Sequence, residues 1–175
     1  NSIYKNIKKI RPGHGLIIKN GEIKKMFQWW KPKVGYYKET TTSKEKLREL
    51  IEKSVFKRCK ADVEVGAFLS GGIDSSTISY IANKALNSTL KTYALGFDKN
   101  DEDLKRARIY SKYIKSDHKE YYFDPVQEWS SFNNITKING EPLPLLPLVH
   151  ANYICKQVKD DGIKVMLSGI CLLYT

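Results

Sequence analysis

From Thr42 onward the apolar residues follow two rhythms in turn. Dense short runs, Val63 to Leu69 (VEVGAFL), Thr92 to Phe97 (TYALGF), Lys119 to Phe123 (KEYYF) and Lys164 to Leu167 (KVML), alternate with longer stretches in which apolar side chains return every three or four positions. The runs have strand length and β-branched or aromatic content, and the stretches have helical period. Helices are predicted over 43–58, 75–86, 101–115, 126–138 and near 148–159. The first carries Leu47, Leu50, Ile51 and Val55 on one stripe, and Thr42 with Glu45 reads as its capping box, Thr42 being the N-cap. Strand and helix in strict alternation imply parallel strands joined by right-handed crossovers. The predicted fold is α/β, an open doubly wound parallel sheet.

The first forty residues have a different pattern. His14 to Lys19 (HGLIIK), Asn20-Gly21, then Glu22 to Trp30 reads as a short β-hairpin, because Asn-Gly suits a type I′ turn in which both central residues have positive φ. Residues 31–41, with Pro32, Gly35 and a threonine run, read as a linker. The expected organisation is therefore 1–41, a hairpin and linker, followed by 42–175, the α/β domain. No internal repeat or low-complexity tract interrupts either part.

Composition narrows the function. No apolar run approaches the ~20 residues of a membrane span, and no secretory signal opens the chain, so no membrane partner is expected. The chain starts at Asn1 without Met and reads as a piece of a longer protein. Cys59, Cys155 and Cys171 are odd in number and lack metal-ligand spacing, which suits a reducing, cytoplasmic setting. Thirty basic residues against 19 acidic give a net charge of +11 and raise the question of nucleic acid. The basic blocks are short, however: Lys5, Lys8, Lys9 and Arg11, then Lys44, Lys46 and Arg48, then Lys105, Arg106 and Arg108. Mixed with acids on helical surfaces, they read as solvated faces rather than a nucleic-acid stripe.

In sheets of this kind ligands sit beyond the carboxyl ends of the strands. Three such ends carry small or polar residues: Ser70-Gly71-Gly72, Gly96-Phe97-Asp98 and Ser168-Gly169. The first opens the stretch Ser-Gly-Gly-Ile-Asp-Ser-Ser. Its glycines let backbone approach an anion, and the amides at the following helix start point toward it with the positive end of the helix dipole. Ser70, Ser75 and Ser76 have hydroxyls to donate to phosphate oxygens. Asp74 repels phosphate unless a cation lies between them, which implies Mg2+ held by Asp74 and phosphate. The loop is not a Walker A motif, since no GxxxxGK[ST] is present. A capped strand-to-helix turn would also use Ser, Asp and Gly, but it needs fewer of them.

These residues carry a resemblance. SGGIDSS resembles the pyrophosphate-binding loop of ATP pyrophosphatases, and GAFLSGGIDSS is similar to the synthetase domain of glutamine-hydrolysing asparagine synthetases. TYALGFD, DHKEYYFDP and GEPLPLLPLVHANYICKQVKDDGIKVMLSG resemble the later strands of that domain, and IRPGHGLIIKNGEI with QWWKP resembles the end of the glutaminase domain before it. The resemblance implies an adenine nucleotide alpha hydrolase-like fold. It also implies asparagine formation from aspartate and ATP, through an aspartyl-adenylate taken by ammonia, which these enzymes draw from glutamine. The implied nucleotide contacts are Leu69, Ser70, Gly71, Gly72, Asp74, Ser75, Ser76, Leu95, Gly96, Ser168 and Gly169, with Asp74 on Mg2+.

The resemblance has departures. After Ser-Gly the family continues with acidic residues, whereas this chain has Ile170, Leu173 and Tyr174 at those positions, and Gly140 precedes Glu141 where many relatives have an acid. No cysteine stands where the glutaminase nucleophile would be, and the expectation for the chain by itself is no asparagine formation. Two other readings share the loop: a tRNA-modifying adenylating enzyme, and a non-catalytic ATP-binding relic.

Overall fold

The structure, a computed structural model, describes residues 2–32, 35, 41–86, 88–140 and 146–169. The chain divides into two compact units, Asn1–Thr40 and Thr41–Thr175. In the first, β1 (His14–Lys19) pairs antiparallel with β2 (Glu22–Gln28). Asn20 and Gly21 have φ of 54° and 77°, as a type I′ turn demands, and Lys19 faces Glu22 across it. The second strand stops short of Trp30, because the amides of Trp29 and Trp30 both donate to the Gly13 carbonyl, at 2.9 and 3.2 Å.

The second unit begins with α1 (Thr41–Arg58) and continues β3 (Val65–Phe68), α2 (Ile73–Ala85), β4 (Lys91–Gly96), α3 (Glu102–Ile114) and β5 (Asp117–Tyr122). A 3-10 turn (Gln127–Ser130), α4 (Ser131–Asn139), α5 (Leu146–Asp160) and β6 (Val165–Leu167) complete it. Most element ends fall within two residues of expectation, and two differences stand out. Helix α1 already includes Thr41, which puts Thr42 in the first turn rather than at the cap. The helix predicted over 126–138 is divided: Asp124 Oδ1 accepts from the amides of Val126 and Gln127, tightening the start into a 3-10 turn, and the Ser131 hydroxyl donates to Glu128 at the joint.

The four strands form one parallel sheet in the order β5-β4-β3-β6. Alternation along each strand builds a core on either face. Val65, Ala67 and Leu167 pack with Val55 of α1 and Ile78, Ile81 and Ala82 of α2. On the opposite face Tyr93 packs with Ile154 and Val158 of α5 and with Ile163, joined by Phe68, Leu95, Tyr121 and Met166. Helix α3 adds Leu104 and Ala107 against Leu69 and Ala94. Leu69, Leu90 and Leu104 are fully buried, each contributing roughly 1.5–3 kcal/mol. Helices thus cover both faces, the doubly wound arrangement that the alternating pattern predicts.

Polar residues fix the helices on this sheet. Asn83 of α2 donates to the Ile114 carbonyl at 2.7 Å and accepts from the Leu90 amide at 3.2 Å, tying α2, α3 and the entry to β4. Asp101 caps α3 by accepting from the Asp103 amide, and Lys115 ends it in the left-handed region. Asp161 accepts from Lys119 at 2.7 Å and from the Tyr121 hydroxyl at 3.0 Å. Lys119 beside it holds the Asp161 carboxyl below its ordinary range, while burial and Asp161 push the Tyr121 hydroxyl up to about 12.

Candidate nucleotide site

Strand β3 has β4 on one side and β6 on the other, so the strand order reverses there: the chain runs outward through β4 and β5 and returns by α4 and α5 to β6. A crevice is expected where the carboxyl ends of β3 and β6 part. A cavity of about 540 Å³ opens there.

Its polar end is built from the turn that joins β3 to α2. The Ser75 hydroxyl accepts from the Ser70 amide at 3.2 Å and donates to the Gly72 carbonyl at 3.2 Å, with the Ser70 hydroxyl 3.0 Å away. Ser75 therefore shapes the loop from within. Gly72 occupies the N-cap of α2, and no side chain caps the helix among the described residues. The amides of the first turn are left for another partner, and the helix dipole makes an anion the favoured one.

The two glycines of the loop have different reasons to be glycine. Gly71 has φ of 73°, and a Cβ there would collide with Arg106 Cβ and approach the Ala107 amide nitrogen to 2.7 Å. It is required by the packing of α3. Gly72 has an ordinary φ of −73°, and a Cβ there would meet only Ser70 Oγ, at 3.5 Å. The fold leaves room for a side chain at Gly72, and that room belongs to the cavity.

The structure brings Leu69, Ser70, Gly72, Asp74, Ser75, Leu95, Ser168 and Gly169 to the cavity wall. Gly169 is held close to α2, since a Cβ there would lie 2.9 Å from the Ser75 nitrogen. Gly71, Ser76 and Gly96 stand behind the wall. Ser76 is buried with its hydroxyl unpartnered among the described residues, and Gly96 presses on Leu104, which a Cβ would approach to 2.6 Å. Residues 170–175, which include Ile170, Leu173 and Tyr174 at the positions of the expected acids, lie outside the described residues, as do 141–145. Gly140, at φ of 74°, follows the end of α4.

The wall also includes a set of residues that the sequence reading did not single out. Pro147, His150, Ala151 and Ile154 line it from α5. Their spacing of three, one and three puts them on one helix face, which is the signal that could have found them. The His150 ring meets Phe123 edge-on at 4.4 Å and Phe97 at 5.5 Å, and its Nε2 is buried without a hydrogen-bond partner. Burial holds its pKa below the ordinary imidazole value, so it is neutral at physiological pH. Tyr93 lines the same wall, its hydroxyl pushed up by burial first and by Asp161 second.

Asp74 is the acidic residue of the wall, and no lysine or arginine lines it among the described residues. In a chain of net charge +11, the basic side chains of the described residues stay out of this cavity. Any anion bound here would be held by backbone amides, hydroxyls and a cation. No cluster of three or more potential metal ligands occurs among the described residues.

The sequence profile of the asparagine synthase family matches residues 46–171. The glutamine-hydrolysing asparagine synthetase of Zea mays is 37% identical over 90% of this chain, and asparagine synthetase 2 of Arabidopsis thaliana is 29% identical over 90%. The chain spans 28% and 29% of those proteins' lengths. Among solved structures, the NH3-dependent NAD synthetase of Campylobacter jejuni superposes with a TM-score of 0.48 at 18% identity, covering 71% of this chain and 54% of that one. With most of its second unit inside the family's profile, the chain belongs to the asparagine synthase family.

Proposed function

We propose that the cavity binds ATP for the adenylation half of asparagine synthesis. The observation that carries this reading is the open space at Gly72, beside an uncapped helix start, in a wall without basic side chains. The polyphosphate takes the polar end, where the amides of Ile73, Asp74 and Ser75 and the Ser70 hydroxyl face it. The nucleoside takes the apolar end, between Leu69 and Leu95 on the sheet side and Ala151 and Ile154 on α5. The β-carboxylate of aspartate attacks the α-phosphorus, pyrophosphate leaves, and ammonia then displaces AMP to give asparagine. Because the loop grips the leaving pyrophosphate, its stabilisation grows as negative charge develops there.

A single carboxylate beside bound phosphates is a donor set that suits Mg2+, which keeps several waters and needs few protein ligands. Asp74 would hold it, and the ion would neutralise charge on the departing pyrophosphate. Aspartate recognition calls for cationic groups, and the described wall offers none. Those groups are to be sought in the rest of the protein.

The test is calorimetric titration of ATP into the chain with and without Mg2+, repeated with Asp74→Asn. Binding that needs Mg2+ in the wild type and loses that dependence in Asp74→Asn is the expected result. ATP bound equally with and without Mg2+ overturns the assignment of Asp74, and no ATP binding under either condition overturns the reading of the cavity.

A further inference from the structure

The face of α5 turned to the cavity is apolar except at one position. Pro147, Ala151 and Ile154 supply hydrocarbon, and His150 is the residue of that face whose side chain has polar atoms. Apolar slots with one placed polar group bind ligands that have apolar faces and a polar edge, and the polar group sets the orientation. His150 has no other task in the described structure. Its ring is fixed edge-on by Phe123 and Phe97, neither of which lines the cavity, and it makes no hydrogen bond with the described residues. A buried polar atom without a partner costs about 1–3 kcal/mol, so native proteins rarely keep one that no ligand or water satisfies.

We infer that His150 is a specificity-determining residue, which hydrogen-bonds the heterocyclic edge of the nucleotide base through its imidazole. The inference rests on the ATP reading above and extends it to how the base is selected. The two ends of the cavity assign the partner. The phosphates belong at the N-terminus of α2, where the amides and Asp74 lie, and His150 stands on the wall made of Leu69, Tyr93, Leu95 and Ile154. A neutral imidazole has one donor and one acceptor nitrogen, which matches the edge of a purine better than it matches a phosphate. Burial that keeps the ring neutral supports the same assignment.

The experiment compares wild type, His150→Leu and His150→Asn in titrations with ATP, GTP, ITP and inorganic triphosphate, all with Mg2+. Leucine suits the surroundings of Phe97 and Phe123, so His150→Leu is expected to melt at or above the wild-type temperature. It should bind ATP about 3- to 10-fold more weakly, the worth of one hydrogen bond, and lose the preference for ATP over GTP and ITP. Its affinity for inorganic triphosphate should be unchanged, because that ligand has no base. His150→Asn keeps a donor and an acceptor and should recover part of the discrimination. Wild-type binding of ATP with unchanged affinity and selectivity in His150→Leu overturns this inference alone. Equal losses for ATP and inorganic triphosphate also overturn it, since the residue would then act on the phosphates or the fold. A wild-type chain that takes triphosphate but no ATP overturns the ATP reading, and the role of His150 with it.

Discussion

An added methyl group has opposite consequences at Gly71 and Gly72, although the two are neighbours in the chain. In Gly71→Ala the new Cβ enters backbone of α3 at a φ of 73°. The left-handed conformation costs a non-glycine residue roughly 1–2 kcal/mol, and forcing α3 aside costs about 1–3 kcal/mol more. The total of roughly 2–5 kcal/mol corresponds to a fall in Tm of roughly 4–20 °C for a chain of this size. In Gly72→Ala the Cβ meets only Ser70 Oγ at 3.5 Å, at an ordinary φ. Alanine is a poorer N-cap than glycine but has less unfolded-state entropy to lose, so stability should stay within about 1 kcal/mol of wild type. Binding should behave in the opposite way. The methyl group occupies space through which phosphate approaches the backbone, and one lost charge-assisted hydrogen bond of about 1.5–3 kcal/mol weakens ATP by roughly 10- to 150-fold. Thermal melts followed by ATP titration of the two variants measure both effects. Gly72→Ala that binds ATP like wild type, or Gly71→Ala that melts like wild type, would refute the division of labour between the two glycines.

Three further outcomes are open to measurement. Ser79 of α2 is fully buried, its hydroxyl unpartnered among the described residues, so Ser79→Ala should gain about 1 kcal/mol in urea denaturation; a loss of stability would show that the hydroxyl is satisfied. His118 is buried beside Thr92, with Glu120 and Asp117 favouring its protonation and Arg108 opposing it, and burial wins, holding its pKa below the ordinary value. The unfolded chain then binds the proton more readily, so stability is full above the ordinary histidine pKa of about 6.5 and falls as pH drops below it. His118→Gln should flatten that fall between pH 7 and 5, and an unchanged slope would exclude His118 as its source. Transfer RNA should bind weakly and without discrimination, its affinity disappearing by about 0.2 M salt, because the basic blocks of the sequence are short and mixed with acids; a tight, selective complex would favour tRNA modification instead.

The sheet was legible because each strand is a dense apolar run and each helix has its own period. Both signals come from the same requirement, that the faces of β3 and β4 be covered on two sides. The 3-10 turn before α4 was less visible, since it depends on an Asp124 side chain competing for amides that a helix would leave free. At the site, the number and kind of the loop residues pointed to a binding turn, and the structure places that turn at the end of a cavity. What they do individually was hidden: Ser75 turns inward to the loop, and Gly71 answers to α3 rather than to a ligand. His150 was missed because one polar residue on an apolar helix face is commonplace, and only the folded arrangement reveals that its Nε2 has no hydrogen-bond partner among the described residues.

Helix α3 touches no part of the cavity, yet both Gly71 and Gly96 are pressed against it, at Arg106 and Ala107 and at Leu104. The turns that follow β3 and β4 are therefore seated on one straight bar, and their separation is the bar's to set. Such a part works as a gauge block does in a machine: it performs no operation, but the tolerance of the operation is its tolerance. Enlarging Ala107 or trimming Leu104 would shift the turn after β3 against the opposite wall of the cavity without altering a residue that lines it. Selection for a different ligand or a different working temperature thus has a second route into this site, through a helix whose outer side, with Ile109 and Tyr113, lies open to solvent.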